Sequence, residues 1–308
     1  MSLTIEQIAS LPVPLLRQGL VPWVASHVAA DPERLAALQA GLQAEVDATS
    51  DEGLATLLAT FATAGDGYRH FLADPCARRL TRAYMAKLTP TWSAEGLDRL
   101  DAWLTSGPAR RMLVCNHLSY TDTQLTDSLL AVEGRAAFAD RLVAIAGPKV
   151  YTEAWRRLAA ISLNTRKTVQ SSMVATEQDA LSPRELAVVA IETLRDCERL
   201  MDEGYIVLLY PEGTRSRTGH FQPFLRAAGR YLQIPGLSVM PMAQTGSEHI
   251  FPIDDPRMYP GHVRMAFGEP FAGEAHPGKL GALTEVHARI AAALPAAYRP
   301  EPGSPPVG

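Results

Sequence analysis

Between residues 182 and 210 the chain spells a helix, a stop and a strand in direct succession. Ser182 and Glu185 make a capping box, Pro183 occupies the first helical position, where its missing N–H costs nothing, and Gly204 supplies the left-handed residue that ends a helix. Leu186, Ala190, Leu194, Cys197 and Met201 recur at helical spacing, which predicts one apolar face over 183–203. The aliphatic run Tyr205 to Tyr210 then follows without a linker, as a strand fed by a helix does in an α/β sheet. The same texture repeats from residue 110 onward, with candidate strands at Arg111 to Cys115, Leu142 to Ala146, Leu237 to Ala243 and Val263 to Phe267, and a last helix at Lys279 to Ala293.

Residues 1–105 read differently. Helical segments at Thr4 to Ala9, Leu15 to Ala30, Pro32 to Ala48, Glu52 to Ala64 and Tyr68 to Leu88 are separated by Pro, Asp and Gly. The expected organisation is an N-terminal helical unit over 1–105, an α/β domain over 106–298, and a Pro- and Gly-rich flexible tail over 299–308.

Composition narrows the function classes. Of 308 residues, 47% are hydrophobic and 20% charged, enough to bury a sizeable core, and 29 Lys plus Arg against 33 Asp plus Glu argue against a nucleic-acid binder. Charge is uneven, however: Arg141, Lys149, Arg156, Arg157, Arg166 and Lys167 fall in one window with Glu153 as the single acid. Such a field suits phosphorylated substrates, coenzyme A or an anionic membrane surface. Cys76, Cys115 and Cys197 show no CxxC spacing, which fits a reducing compartment, and Cys115 is expected as a small buried residue at a strand end. His220, His249 and His262 have no metal-ligand spacing, so no metal is expected. No run approaches the roughly 18 apolar residues of a membrane span, and no secretory signal is visible; peripheral attachment through the basic window and the Leu15 to Val24 stretch with Trp23 is expected.

Chemistry concentrates in two segments. Asn116-His117-Leu118-Ser119-Tyr120-Thr121-Asp122 sets a carboxylate five residues after a histidine, and Tyr210-Pro211-Glu212-Gly213-Thr214-Arg215-Ser216 follows downstream. An imidazole oriented by a carboxylate can take a proton from a hydroxyl at neutral pH. Five residues exceed the i,i+4 reach of one helix, so the pair requires a turn leading into a helix near Asp122. A Gly-Thr-Arg turn can hold a phosphate.

These segments resemble the glycerolipid acyltransferase family. Block one, Asn-His-x-Ser-x-x-Asp, is met at Asn116, His117, Ser119 and Asp122; block three, Phe-Pro-Glu-Gly-Thr-Arg-Ser, is met throughout save for Tyr210. A looser second block is Ile161 to Arg166 and a fourth runs Met240 to Gly246. Where the family often carries Pro-Phe-Lys, this chain has Pro223-Phe224-Leu225-Arg226. The resemblance implies a mixed sheet flanked by helices, with His117 as general base and Asp122 orienting it. It also implies an acceptor site at Glu212, Gly213, Thr214 and Arg215, joined by Arg166. The implied reaction moves an acyl group from acyl-CoA or acyl carrier protein, as co-substrate rather than cofactor, to a lysophospholipid, 1-acylglycerol 3-phosphate foremost, on the cytoplasmic face of the inner membrane. Glycerol 3-phosphate and lyso-amino-acid lipids remain alternative acceptors. A thioesterase or esterase, and a non-catalytic acyl-lipid binder, are the other classes; the lack of a Gly-x-Ser-x-Gly elbow speaks against the usual serine hydrolase.

Overall fold

The computed structural model describes residues 3–105, 110–169, 181–278 and 280–308. The N-terminal part forms α1 (Ile5–Ala9), α2 (Val13–Ala25), α3 (Pro32–Asp47), α4 (Asp51–Thr63) and α5 (Pro75–Leu88), with α6 (Leu97–Thr105) after them. Their starts are set by local chemistry: the Asp31, Ser50 and Asp74 side chains each accept the third N–H of the following helix. Two strands come from inside this stretch read as helical. These are β1 (His70–Phe71) and β2 (Thr91–Glu95).

The remaining strands are β3 (Arg111–Cys115), β4 (Leu142–Ala146), β5 (Asn164–Lys167), β6 (Ile206–Leu209), β7 (Ser238–Thr245), β8 (His262–Phe267) and β9 (Phe271–Ala272). They form one sheet in the order β1-β5-β4-β6-β3-β7-β8-β2, with β9 pairing β7. The centre, β5 to β7, is parallel, β1 meets β5 antiparallel, β8 and β9 both meet β7 antiparallel, and the edge strand β2 pairs β8 in parallel, so the sheet is mixed. Helices α7 (Asp122–Leu130), α8 (Ala136–Ala139), α9 (Ala154–Ile161), α10 (Pro183–Asp202), α11 (Ser247–Ile250) and α12 (Gly281–Ala293) complete the fold. The expected start of α12, at Lys279, lies outside the described residues.

Parallel strands covered on both faces should be apolar throughout, and β3 (Met112 to Cys115) and β6 are fully buried. One face packs on α12 and the C-terminal half of α10, through Cys197, Met201, Val207, Val239, Val286 and Ile290. The other packs on α2 to α5, α7 and α9, in a core that runs without a break from Leu16 and Leu42 to Leu208 and Met265. The helical segment therefore shares the sheet's main core. Its Leu15 to Val24 stretch is largely interior, with Leu16, Leu20, Val21 and Val24 buried and Leu15 exposed.

Helix α10 carries the capping box expected of Ser182 and Glu185. Its buried positions are Val189, Thr193, Cys197, Leu200 and Met201; Leu186 is exposed, so the anticipated face holds only in the C-terminal turns. The last ten residues do not hang free. Phe224 donates its N–H to Pro306 O (3.0 Å) and accepts from Gly308 N–H (3.0 Å), and Arg299 O contacts His220 Nδ1 at 3.0 Å.

Candidate active site

Strand β3 ends on Cys115, and Asn116 extends its pairing with a side chain in place of backbone. The Asn116 amide donates to Gln244 O and accepts from Gln244 N–H, both at 2.8 Å, fixing the chain as it leaves the sheet beside β7. The turn then brings Asp122, first residue of α7, back to His117. Asp122 Oδ2 accepts from His117 Nδ1 (2.8 Å) and from the N–H groups of Leu118 (2.7 Å) and Ser119 (3.0 Å). Asp122 is 1% exposed and cannot act as an outer carboxylate; it is a fixed acceptor for three donors. With Nδ1 as donor, the ring's Nε2 holds the lone pair that can take a proton. Cys115 is fully buried, and burial beside Asp122 and Glu212 pushes its thiol far above the ordinary range, which leaves it no nucleophilic role.

The second segment leaves β6 and closes over the first. Tyr210 stacks on the His117 ring, centroids 4.5 Å apart, and its hydroxyl meets Thr123 Oγ1 at 3.1 Å. Tyr in place of Phe thus finds a partner on α7. Glu212 Oε1 accepts the His117 N–H at 2.6 Å and Oε2 accepts that of Gln222 at 3.1 Å, while Ser216 N–H donates to His117 O at 2.8 Å. Burial raises the Glu212 carboxyl to about 8 against the pull of its two N–H donors. Glu212 was expected at the acceptor. It is 4% exposed and does not line the cleft; it ties the histidine's backbone to the second loop.

Gly213, Thr214 and Arg215 do line the cleft, together with His117. Gly213 has φ +70°, a left-handed conformation that favours glycine, and a Cβ there would also press on the Leu225 side chain. The Arg215 guanidinium lies 3.7 Å from the centroid of the Tyr120 ring, and Arg156 lies 4.8 Å from the same ring. Arg215 has no carboxylate within ion-pair distance among the described residues. Burial lowers its pKa, which leaves it charged at any physiological pH.

Arg166 is elsewhere. It sits on β5, is 1% exposed, and pairs with Asp196 of α10 at 2.7 Å while donating to Lys167 O. It does not line the cleft, which corrects its expected place at the acceptor. Two more cations of the basic window are held by backbone: Arg157 donates to the carbonyls of Tyr151, Phe61 and Ala62, and Lys167 to Gly65 O.

The cleft has a volume of about 280 Å³. Its walls are mainly apolar, from Ile145, Val150, Ala160 and Leu163 to Leu209 and Phe251. Four cations also line it, Lys149, Arg156, Arg215 and Arg230, and no Asp or Glu does among the described residues. Sequence reasoning missed Arg230, Tyr120 and Tyr210 as site residues; the aromatic neighbours inside both segments were the available signal. No grouping of His, Cys, Asp and Glu among the described residues could hold a metal ion.

A His–Asp pair lining an apolar cleft with cations in its wall can take a proton from a hydroxyl bound there. The Acyltransferase family model matches residues 104–245, spanning both segments. This stretch, a little under half of the chain, is what the chain shares with that family. Its relatives include two chloroplastic 1-acyl-sn-glycerol-3-phosphate acyltransferases. That of Brassica napus is 31% identical, and that of Arabidopsis thaliana 30%, each over 84 residues. Each alignment covers 27% of this chain and only 24%, about a quarter, of the relative. The crystal structure of the 1-acyl-sn-glycerophosphate acyltransferase PlsC of Thermotoga maritima aligns over 93% of this chain and 91% of its own, at 14% identity and TM-score 0.47.

Proposed function

We propose that this chain moves a fatty acyl group from an acyl thioester to the free hydroxyl of a lysophospholipid, with 1-acylglycerol 3-phosphate as the preferred acceptor. The observation that carries this reading is the His117–Asp122 pair opening onto a cleft lined, among the described residues, by four cations and no acid. His117 Nε2 takes the proton of the acceptor hydroxyl as the oxygen attacks the thioester carbonyl. The C–O bond forms, the C–S bond breaks, and the proton on Nε2 passes to the leaving thiolate. Asp122 holds the ring through Nδ1 and stabilises the imidazolium that exists between the two transfers. No acyl-enzyme is needed, because the substrate brings the nucleophile.

Arg215 suits the acceptor's phosphate. Its guanidinium is held against a ring face rather than a carboxylate, so a phosphate meets no internal competitor. Lys149, Arg156 and Arg230 suit the phosphates of coenzyme A or the acidic surface of an acyl carrier protein, and the apolar walls suit the acyl chain. No described helix is long and apolar enough to cross a membrane. Access to a membrane-borne acceptor then falls to peripheral contact with an anionic surface at the cytoplasmic face.

The test is an acceptor panel: glycerol 3-phosphate, 1-acylglycerol 3-phosphate, neutral monoacylglycerol and a lyso-amino-acid lipid, each with the same thioester. The second should give the highest kcat/KM. A preference for the neutral or amino-acid lipid would overturn the phosphate reading and leave the acyl transfer standing.

A further inference from the structure

Gln124 lies two residues beyond Asp122 on α7, is 5% exposed, and lines the cleft. Its amide orientation is fixed by chemistry. Nε2 is 3.1 Å from Ala159 O, a group that can only accept, so the nitrogen must face α9 and Oε1 must point the other way. Oε1 is buried and has no hydrogen-bond partner among the described residues. A buried acceptor without a donor is costly, and one placed in a substrate cleft is satisfied when the substrate brings the donor. Ser128, one turn deeper, also has an unpartnered hydroxyl, but it does not line the cleft and so cannot serve a substrate.

We propose that Gln124 is a specificity-determining residue: its Oε1 accepts a hydrogen bond from an O–H or N–H group that the acyl thioester carries close to its reacting carbonyl. The position follows from the helix. Two residues of α-helix advance about 3 Å and turn the side chain by about 200°, so Gln124 lines the same cleft as His117 but from the α9 side, one short step along the helix from Asp122. An unsubstituted acyl chain has only C–H groups to offer at that distance and leaves Oε1 unpaired. Two parts of a thioester substrate carry a donor there: a hydroxyl on C2 or C3 of the acyl chain, or the first amide N–H of a pantetheine arm. The cation cluster is not involved, since Oε1 attracts a donor and not an anion.

This inference rests on the acyl-transfer reading, and the experiment separates the two. Transfer is measured for palmitoyl, 2-hydroxypalmitoyl and 3-hydroxypalmitoyl groups, each on coenzyme A and on ethanethiol, which has no amide. The enzymes are the wild type, Gln124→Leu and the longer, more adaptable Gln124→Met, with melting temperatures recorded as the folding control. Binding of free palmitate and of the two free hydroxypalmitates is measured in parallel by calorimetry, which needs no turnover. If the hydroxyl is the donor, the wild type favours one hydroxyacyl group by roughly 10-fold or more in kcat/KM, binds the matching free acid more tightly, and loses both preferences in either variant. If the pantetheine amide is the donor, both variants lower kcat/KM for every coenzyme A thioester by a similar factor and leave the ethanethiol thioesters unchanged. Folded variants that keep the wild-type ratios across all six thioesters and all free acids would overturn the role of Gln124. Absence of transfer from any thioester by the wild type would instead sink the acyl-transfer reading, and the calorimetric preference would still decide the fate of Gln124.

Discussion

Arg166 and Arg215 carry the same guanidinium into two different surroundings. Arg166 lies on a central strand, closed off from solvent and matched by Asp196 and a backbone carbonyl. Arg215 lies on the loop after β6, half-buried, with an aromatic face against it and no carboxylate within ion-pair distance among the described residues. Their intrinsic chemistry is identical, so the partner decides the use: a cation whose charge is already matched stabilises the fold, and one left against a ring is open to a substrate anion. Elsewhere in the basic window, Arg157 and Lys167 are spent on carbonyls, whereas Lys149 and Arg156 reach the cleft, Arg156 while paired with the exposed Glu153 at 2.5 Å.

The largest effect expected is a loss of function without loss of fold, and it sets the scale for that comparison. His117→Ala should lower kcat by about 10² to 10⁴-fold with the melting temperature little changed. Asp122→Asn should also be severe, because the buried position then loses its charge beside a ring that must become cationic; a mutant of either kind that folds and turns over near the wild-type rate would contradict the assignment.

Next comes Arg215→Ala. It should cost about 2 to 4 kcal/mol in kcat/KM for the phosphorylated acceptor and leave stability nearly untouched. Arg215→Lys should restore part, since an ammonium cannot reproduce a two-pronged contact. An equal penalty on neutral and phosphorylated acceptors would erase the distinction from Arg166.

Asp196→Ala reverses the pattern. It strands the buried Arg166 charge and should lower stability by about 2 to 3 kcal/mol, read by denaturant unfolding, below the figure for a wholly buried pair because Asp196 itself is partly exposed. The kcat/KM of the folded fraction should hold. A selective loss of acceptor binding would return Arg166 to the active site.

The smallest effect concerns pH. Because burial raises Glu212 to about 8 from an ordinary 4.5, the folded chain keeps a proton that the unfolded chain releases above that lower value. This contribution to stability is complete below the unfolded pKa and is lost as pH rises through the folded one. Glu212→Gln should therefore flatten the fall in melting temperature between about pH 5 and pH 8, by a few degrees. An unchanged slope would mean that Glu212 is ionised throughout.

What the sequence made legible follows from how local the cause is. Strands β3 and β4 are read to the residue, since their apolar runs are bounded on both sides, and α10 is announced by a capping box and a terminal glycine. The His117–Asp122 pair is also local, a single turn. Strand β5 was hidden because Asn164-Thr165-Arg166-Lys167 looks like a polar loop. It is fully buried only because Asn164 bonds the carbonyls of Asp140 and Leu142, and Arg166 finds Asp196, all distant in sequence. Strand β2, Thr91-Trp92-Ser93-Ala94-Glu95, lacks an apolar run because it is an edge that pairs with β8 alone. The tail read as flexible is held by backbone bonds to the loop at 220–224, and backbone bonds leave no mark on composition. Glu212 was placed with its motif neighbours, yet its side chain turns toward the His117 backbone.

The central claim is that the substrate's own hydroxyl, deprotonated at His117, is the nucleophile. Thioester consumption by the wild type, with and without 1-acylglycerol 3-phosphate, measures this most directly. The account predicts rapid consumption only when the acceptor is present, with one acylated product formed per thioester lost and none of it in His117→Ala. Consumption at the same rate without the acceptor, releasing free fatty acid, would show that water is the nucleophile and that the chain is a thioesterase.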